Sequence, residues 1–188
     1  AALGRVADRV KGGTGLVEEA HLPIALCRAA GLDPSTPQSL ELGTTLRELR
    51  RRKESDEIEL LKQCMRATEA GHQRALEVVA AGVSELELYV EIQRAAQQTA
   101  GRAAIVYGDF RANNAATPKT GGLPTEYVLQ PGDLFLLDYS VVLDGYRSDF
   151  TNAIAVGEPT PAQQDLFDTC CAAIEAGESS LAAGAAAA

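Results

Sequence analysis

The chain has 188 residues, 46% of them hydrophobic and 23% charged, the balance of a water-soluble protein of one or two domains. Its formal net charge of −9 argues against non-specific binding to nucleic acid or anionic membrane, which both need clustered Lys and Arg. The basic cluster from Arg47 to Lys53 runs at once into Glu54, Asp56, Glu57 and Glu59 and reads as a solvated helix start. No run approaches the roughly 20 apolar residues of a membrane span.

Four cysteines, Cys27, Cys64, Cys170 and Cys171, lack the CxxC spacing of a metal site, and a disulfide between the adjacent last two is geometrically poor. Reduced thiols and a cytoplasmic protein are expected. The chain begins without Met and closes on AAGAAAA, so it is expected to be cut at both ends.

Residues 1–46 mix short apolar pieces with Gly12-Gly13, Pro23, Gly31, Pro34 and Pro37 and are too few to fold alone. His21 reads as a helix-end or surface residue. Ser55 then caps a helix with Asp56 and Glu57 in its first turn, where negative charge is favoured. Ile58, Leu61, Met65, Thr68, His72, Leu76 and Val79 recur at helical spacing and predict its buried stripe. His72 on that stripe reads as a hydrogen-bonded core or boundary residue. A second helix starts at Ser84, whose capping box with Glu87 is joined by a Val83–Leu88 staple. Leu88, Ile92, Ala95 and Ala96 give its inner face, and Gly101 stops it.

Ile105-Val106-Tyr107 predicts a short strand, followed by a long polar loop, GDFRANNAATPKTGGLPT. Gly121-Gly122 is not followed by a Lys-Ser/Thr pair, which argues against a phosphate-cradling loop. Pro131 to Gly157 reads as a β-hairpin: a turn at Pro131-Gly132-Asp133, a strand from Leu134 to Leu143, a type I′ turn at Asp144-Gly145, and a strand from Tyr146 to Val156. After it, Thr160, Pro161 and Gln163 start a helix whose buried face is expected to be Leu166, Phe167, Cys170 and Ile174.

The hairpin register is the main functional signal. With Asp144-Gly145 at the tip, Ser140 faces Asp149, and Asp138 lies two residues from Ser140 on the same face. The two carboxylates become diagonal neighbours, about 7–8 Å apart at the backbone. Such a pair is kept when a proton is shared, a cation sits opposite, or metal ions bridge it; the plainer alternative is that one Asp faces solvent or caps a turn. Oxygen ligands alone suit Mg2+, Ca2+ or Mn2+.

Asp138 followed by Asp149 within Gly145-Tyr146-Arg147-Ser148-Asp149-Phe150-Thr151 resembles the metal-binding hairpin of the pita-bread metallopeptidases. That family includes Xaa-Pro aminopeptidases, prolidases and the metal-free creatinases. The departures are Ser140, where the family often has Gly, Asn152, where many members have Arg, and Lys119, near where a substrate-touching His is usual.

The resemblance implies an α+β pita-bread fold, seen as its amino-terminal half. Residues 1–46 would end a smaller amino-terminal domain, and 47–188 would open the catalytic domain. It implies that Asp138 binds one metal ion and that Asp149 bridges two. A His, two Glu and a general base are expected beyond residue 188. The implied cofactors are two divalent ions, Mn2+ first, with Co2+ or Zn2+ also possible, and the implied chemistry is attack by a metal-bridging water on an Xaa-Pro bond. The implied partners are a proline-containing peptide and a second copy of the chain in a homodimer. The alternative within the same fold is a non-catalytic peptide- or protein-binding module.

Overall fold

The computed structural model describes residues 16–17, 25, 40–114, 118 and 121–185; His21 and Cys27 lie outside the described residues. The chain divides into compact units at 1–55 and 56–188. In the first unit, β1 (Leu16–Val17) pairs in parallel with β2 (Leu40–Glu41), which leads into α1 (Leu42–Arg51). The expected domain boundary at 46–47 falls within α1.

The second unit packs two helices on one face of an antiparallel sheet. Helix α2 (Ser55–Val78) and helix α3 (Glu85–Ala100) come first, then β3 (Ile105–Asn113), β4 (Leu134–Leu143), β5 (Tyr146–Arg147), β6 (Phe150–Ala155) and helix α4 (Pro161–Ser180). Strand β4 is central, with β3 on one side and β5 and β6 on the other. Helix α3 has the expected capping box between Ser84 and Glu87 and ends on Gly101 at φ 68°. The type I′ turn is also as expected, with Asp144 at φ 49° and Gly145 at φ 85°. No helix among the described residues is long and apolar enough to cross a membrane.

Three expectations need correcting. Strand β3 runs to Asn113, so GDFRAN is sheet and not loop. Val106, Phe110 and Ala112 alternate onto the buried face, and Gly108 fits between them because a Cβ there would lie 2.5 Å from the Tyr139 Cα. The low strand propensity of Gly, Asp and Asn hid this alternation. The returning strand is also broken, since Ser148 and Asp149 leave the ladder between β5 and β6.

The third correction concerns helix faces. The buried residues of α2 are Cys64, Ala67, Thr68, Gly71 and Ala75, while Ile58, Met65 and Leu76 are exposed. Small side chains mark the packed face because the helix lies close on its neighbours. A Cβ on Gly71 would sit 2.2 Å from the Tyr139 hydroxyl and 3.1 Å from Ile92 Cγ2. Helix α4 is capped by Thr160 and Gln163 as expected, yet none of its residues is buried; Leu166, Phe167 and Ile174 are all more than half exposed. Among the described residues, no other element covers the α4 stripe.

The core between helices and sheet is built on Leu88, Ile92, Phe110, Phe135, Leu137 and Tyr139. His72 lies at its margin, half-buried. Its ring stacks on Tyr139 at 5.1 Å and meets Phe150 edge-on at 6.1 Å. Nδ1 lies 3.1 Å from the Thr68 carbonyl, so the tautomer that donates there leaves a buried Nε2 without a partner. Burial holds the His72 pKa below its usual value, opposed by the bond to Thr68.

Two measurements check this packing. Gly71→Ala should cost about 1–3 kcal/mol in urea unfolding. The cost should shrink in Gly71→Ala/Tyr139→Phe, where the clashing hydroxyl is gone. A depressed folded pKa at His72 means that the unfolded chain binds the proton more readily. Stability should therefore fall as pH drops through about 6.5, the unfolded histidine value, and level off below the folded pKa. His72→Gln should flatten that part of a chemical-denaturation pH series.

Candidate metal centre and cleft

The segment Tyr146 to Thr151 alternates between two environments. Tyr146 turns to α2, where its hydroxyl donates to Glu57 at 2.5 Å and its carbonyl accepts from Cys64 Sγ at 3.2 Å. Burial pushes the Cys64 thiol pKa up, so the group stays a neutral donor. Ser148 is buried on the same side. Its Oγ accepts from the Val141 N–H at 2.9 Å and shares a hydrogen bond with Thr68 Oγ1 at 2.5 Å. Thr68 also donates to the Cys64 carbonyl, and its own carbonyl accepts from the Tyr139 hydroxyl at 2.7 Å. Burial of that hydroxyl raises the Tyr139 pKa far above the ordinary phenol value, so it remains a donor.

Arg147, Asp149 and Thr151 consequently take the opposite face. Asp138 pairs with Thr151 across β4 and β6, and Thr151 Oγ1 donates to Asp138 Oδ1 at 2.9 Å. Asp149 lies two residues before Thr151, which makes it the diagonal neighbour of Asp138. Both carboxylates therefore share the face turned away from the helices, in the expected register. Asp138 is partly buried, whereas Asp149 is 68% exposed and 3.4 Å from the Arg147 guanidinium.

The carboxylates are hard oxygen donors of the kind that suits Mg2+, Ca2+ or Mn2+. Thr151 orients Asp138 and leaves its second oxygen for another partner. Among the described residues, no group of three or more His, Cys, Asp or Glu side chains is gathered to hold a metal ion. The donors present thus fit a divalent cation in kind and supply only part of a full coordination shell. His72 plays no part here, because its ring lies on the helix side of the sheet.

Two further acidic side chains were not legible in the sequence as part of this region. Asp109 lies in β3 directly opposite Asp138, so one row across the sheet reads Asp109, Asp138, Thr151. It was hidden in the segment assigned to a loop; the Val106–Gly108–Phe110–Ala112 alternation was the available signal. The second is Glu85, fully buried at the start of α3. It accepts from the Ala112 N–H at 2.8 Å, the Thr125 N–H at 2.9 Å and the Thr125 hydroxyl at 2.6 Å. Arg111 Nε lies 3.4 Å from the same carboxylate, close enough for charge attraction but not aligned as a hydrogen bond. A similar buried carboxylate, Asp133, ties Asn114, Tyr127 and Gln130 together below the loop. Its proximity and the burial of the phenol raise the Tyr127 pKa, burial being the larger cause.

The arrangement matches known proteins in both sequence and structure. An Xaa-Pro dipeptidase of Lactobacillus delbrueckii subsp. lactis is 26% identical over 141 residues, spanning 72% of this chain and 37% of that protein. The prolidase of Pyrococcus horikoshii superposes with a TM-score of 0.72 at 19% identity, over 88% of this chain and 48% of that one. The X-Pro aminopeptidase of Thermotoga maritima gives a TM-score of 0.68 at 20% identity, over 86% and 45% of the two chains. The fold is the pita-bread fold of these enzymes, and the chain spans less than half the length of each of them. The sequence model of metallopeptidase family M24 matches residues 59–188, and the chain belongs to that family.

Proposed function

We propose that this chain forms part of a metal-dependent peptidase that hydrolyses Xaa-Pro bonds, of the aminopeptidase or dipeptidase type. The observation that carries the reading is the Asp138–Asp149 diagonal on the open face of the sheet, set by Ser148 and Tyr146 on its other face. A name shared by a relative, Xaa-Pro dipeptidase, supports the substrate class.

Asp138 and Asp149 would hold the metal, two ions on this reading, with manganese ahead of cobalt or zinc. A divalent cation held there would supply Lewis acidity toward the scissile carbonyl. The chain's own residues shape the site. Thr151 fixes the Asp138 rotamer through its hydroxyl, and Tyr107 positions Arg147 through a 2.8 Å hydrogen bond. Arg147 in turn contacts Asp149 at 3.4 Å and holds it on this face. The general base is assigned to residues beyond 188.

The division at residue 46 into the end of a smaller domain and the start of a catalytic one belongs to the same reading. So does a homodimer. Free thiols at Cys64, Cys170 and Cys171 suit a reducing compartment and support a cytoplasmic location.

The full-length, manganese-loaded protein should release the amino-terminal residue of Xaa-Pro peptides. Asp138→Asn and Asp149→Asn should each lower kcat/KM by more than about a hundredfold with the fold intact. An intact loaded protein that cleaves no Xaa-Pro peptide would favour a binding module instead. The isolated 188-residue chain should be inactive and hold Mn2+ more weakly than micromolar, since the hairpin supplies only two ligands. Micromolar binding by the isolated chain, lost in Asp138→Asn, would show that the hairpin suffices.

A further inference from the structure

Strand pairing does not explain the side chain of Arg147. Its backbone pairs with Val142 in β4, and any residue could take that place in the ladder. The side chain instead leaves β5 and crosses the central strand, where its guanidinium donates to the Tyr107 hydroxyl of β3 at 2.8 Å. Two strand spacings, about 9–10 Å, separate β5 from β3, so the two long side chains meet over β4. Ser140 stands opposite Tyr107 on this face and is only 5% exposed, as a small side chain beneath that bond should be.

The other terminal nitrogen of the guanidinium lies 3.4 Å from Asp149 Oδ2. Two further ion pairs of the sheet among the described residues are Arg102–Asp144 at the hairpin tip and Arg111–Glu85 at the edge strand. Neither touches Asp138 or Asp149. The bond to Tyr107 thus holds one positive charge against one member of the carboxylate pair.

As a structural contact the Arg147–Asp149 pair is worth little, because both side chains are more than half exposed and water screens them. Toward a divalent cation the same charge counts for more. A guanidinium beside a carboxylate offsets part of its negative charge, and its repulsion of a doubly charged ion is twice that of a singly charged one. Repulsion therefore outweighs the small gain from holding Asp149 in place. We propose that Arg147, braced by Tyr107, sets the metal affinity of the Asp138–Asp149 pair by weakening it. The inference rests on the metal-dependent reading of that pair and deepens it by naming a residue of this chain that tunes how strongly the cation is held.

The test uses the full-length protein, stripped of metal by chelation and titrated with Mn2+ in a calorimeter, so that it reads affinity and not turnover. Arg147→Met removes the charge and keeps most of the side-chain length. It should bind Mn2+ about tenfold more tightly at low salt, and the gain should shrink as added salt screens the charge. Arg147→Lys keeps a charge and should stay within about twofold of the wild type. Tyr107→Phe keeps the guanidinium but releases its brace, and should gain less than Arg147→Met. A role confined to orienting Asp149 predicts the opposite sign, weaker binding in both Arg147→Met and Tyr107→Phe. Unchanged or weaker binding in Arg147→Met, with wild-type binding lost in Asp138→Asn, overturns this inference and leaves the peptidase reading standing. A gain in Arg147→Lys equal to that in Arg147→Met also overturns it, because the charge is retained. A wild-type protein that binds no Mn2+ overturns both.

Discussion

The open face of the sheet depends on a contact buried behind it. Thr68 of α2 meets Ser148 of the hairpin, and Ser148 at the same time accepts from Val141 in β4. With Tyr139 and Cys64 bonded into the same cluster, α2 is fixed to β4 and to the returning strand at several points within one helical turn of each other. Ser148 turns inward, and Arg147 and Asp149 on either side of it, in contact at 3.4 Å, turn outward. A slip of one residue would bury Asp149 against α2 and expose Ser148. An unpaired carboxylate in that cluster would cost several kcal/mol, enough to exclude the slipped register in a fold of ordinary stability.

This makes the sequence Gly145-Tyr146-Arg147-Ser148-Asp149 intelligible position by position. Gly145 completes a turn whose two central residues both have positive φ. Tyr146 and Ser148 bind the helix side, and Arg147 and Asp149 lie on the opposite side. The small residues of α2 belong to the same constraint. Gly71, Ala67 and Ala75 allow the helix to approach closely enough for Thr68 to reach Ser148 and for the Tyr139 hydroxyl to reach the Thr68 carbonyl. Larger residues at those positions would lift the helix and break the polar contacts that set the register.

What could be read from the sequence follows from which signals are local. The turn and the capping boxes of α3 and α4 are encoded within a few residues each, the hairpin and the Asp pair within one continuous stretch, and they were legible. The Asp138–Asp149 face followed from strand alternation alone. The packed face of α2 was misread because an apolar stripe of Ile58, Met65 and Leu76 outweighs small residues on any hydrophobic count, whereas close packing selects the small ones. The stripe of α4 was read as core, yet amphipathic spacing states only that a helix can be covered and not what covers it. Strand β3 was cut short at Gly108, whose role is set by Tyr139 on the neighbouring strand, a contact thirty residues away in the chain that no local pattern carries.

The same non-local logic explains why Glu85 escaped notice. In sequence it is an ordinary first-turn acid of a capped helix, where negative charge is favoured by the helix dipole. In the fold it reaches beyond its own helix to the end of β3 and to Thr125, forty residues on, and is fully buried in doing so. Its location at the helix start lowers the cost of burial, because the free N–H groups there bring partial positive charge to the carboxylate. A residue placed for helix formation is thereby available as the anchor of a loop. The loop it holds reaches Asp109 through Gly121, so that segment is held by a helix on the opposite side of the sheet. Strand register sets the face of Asp138 and Asp149, and this clamp holds the segment beside Asp109; both are decided in the buried layer, where packing tolerates little error.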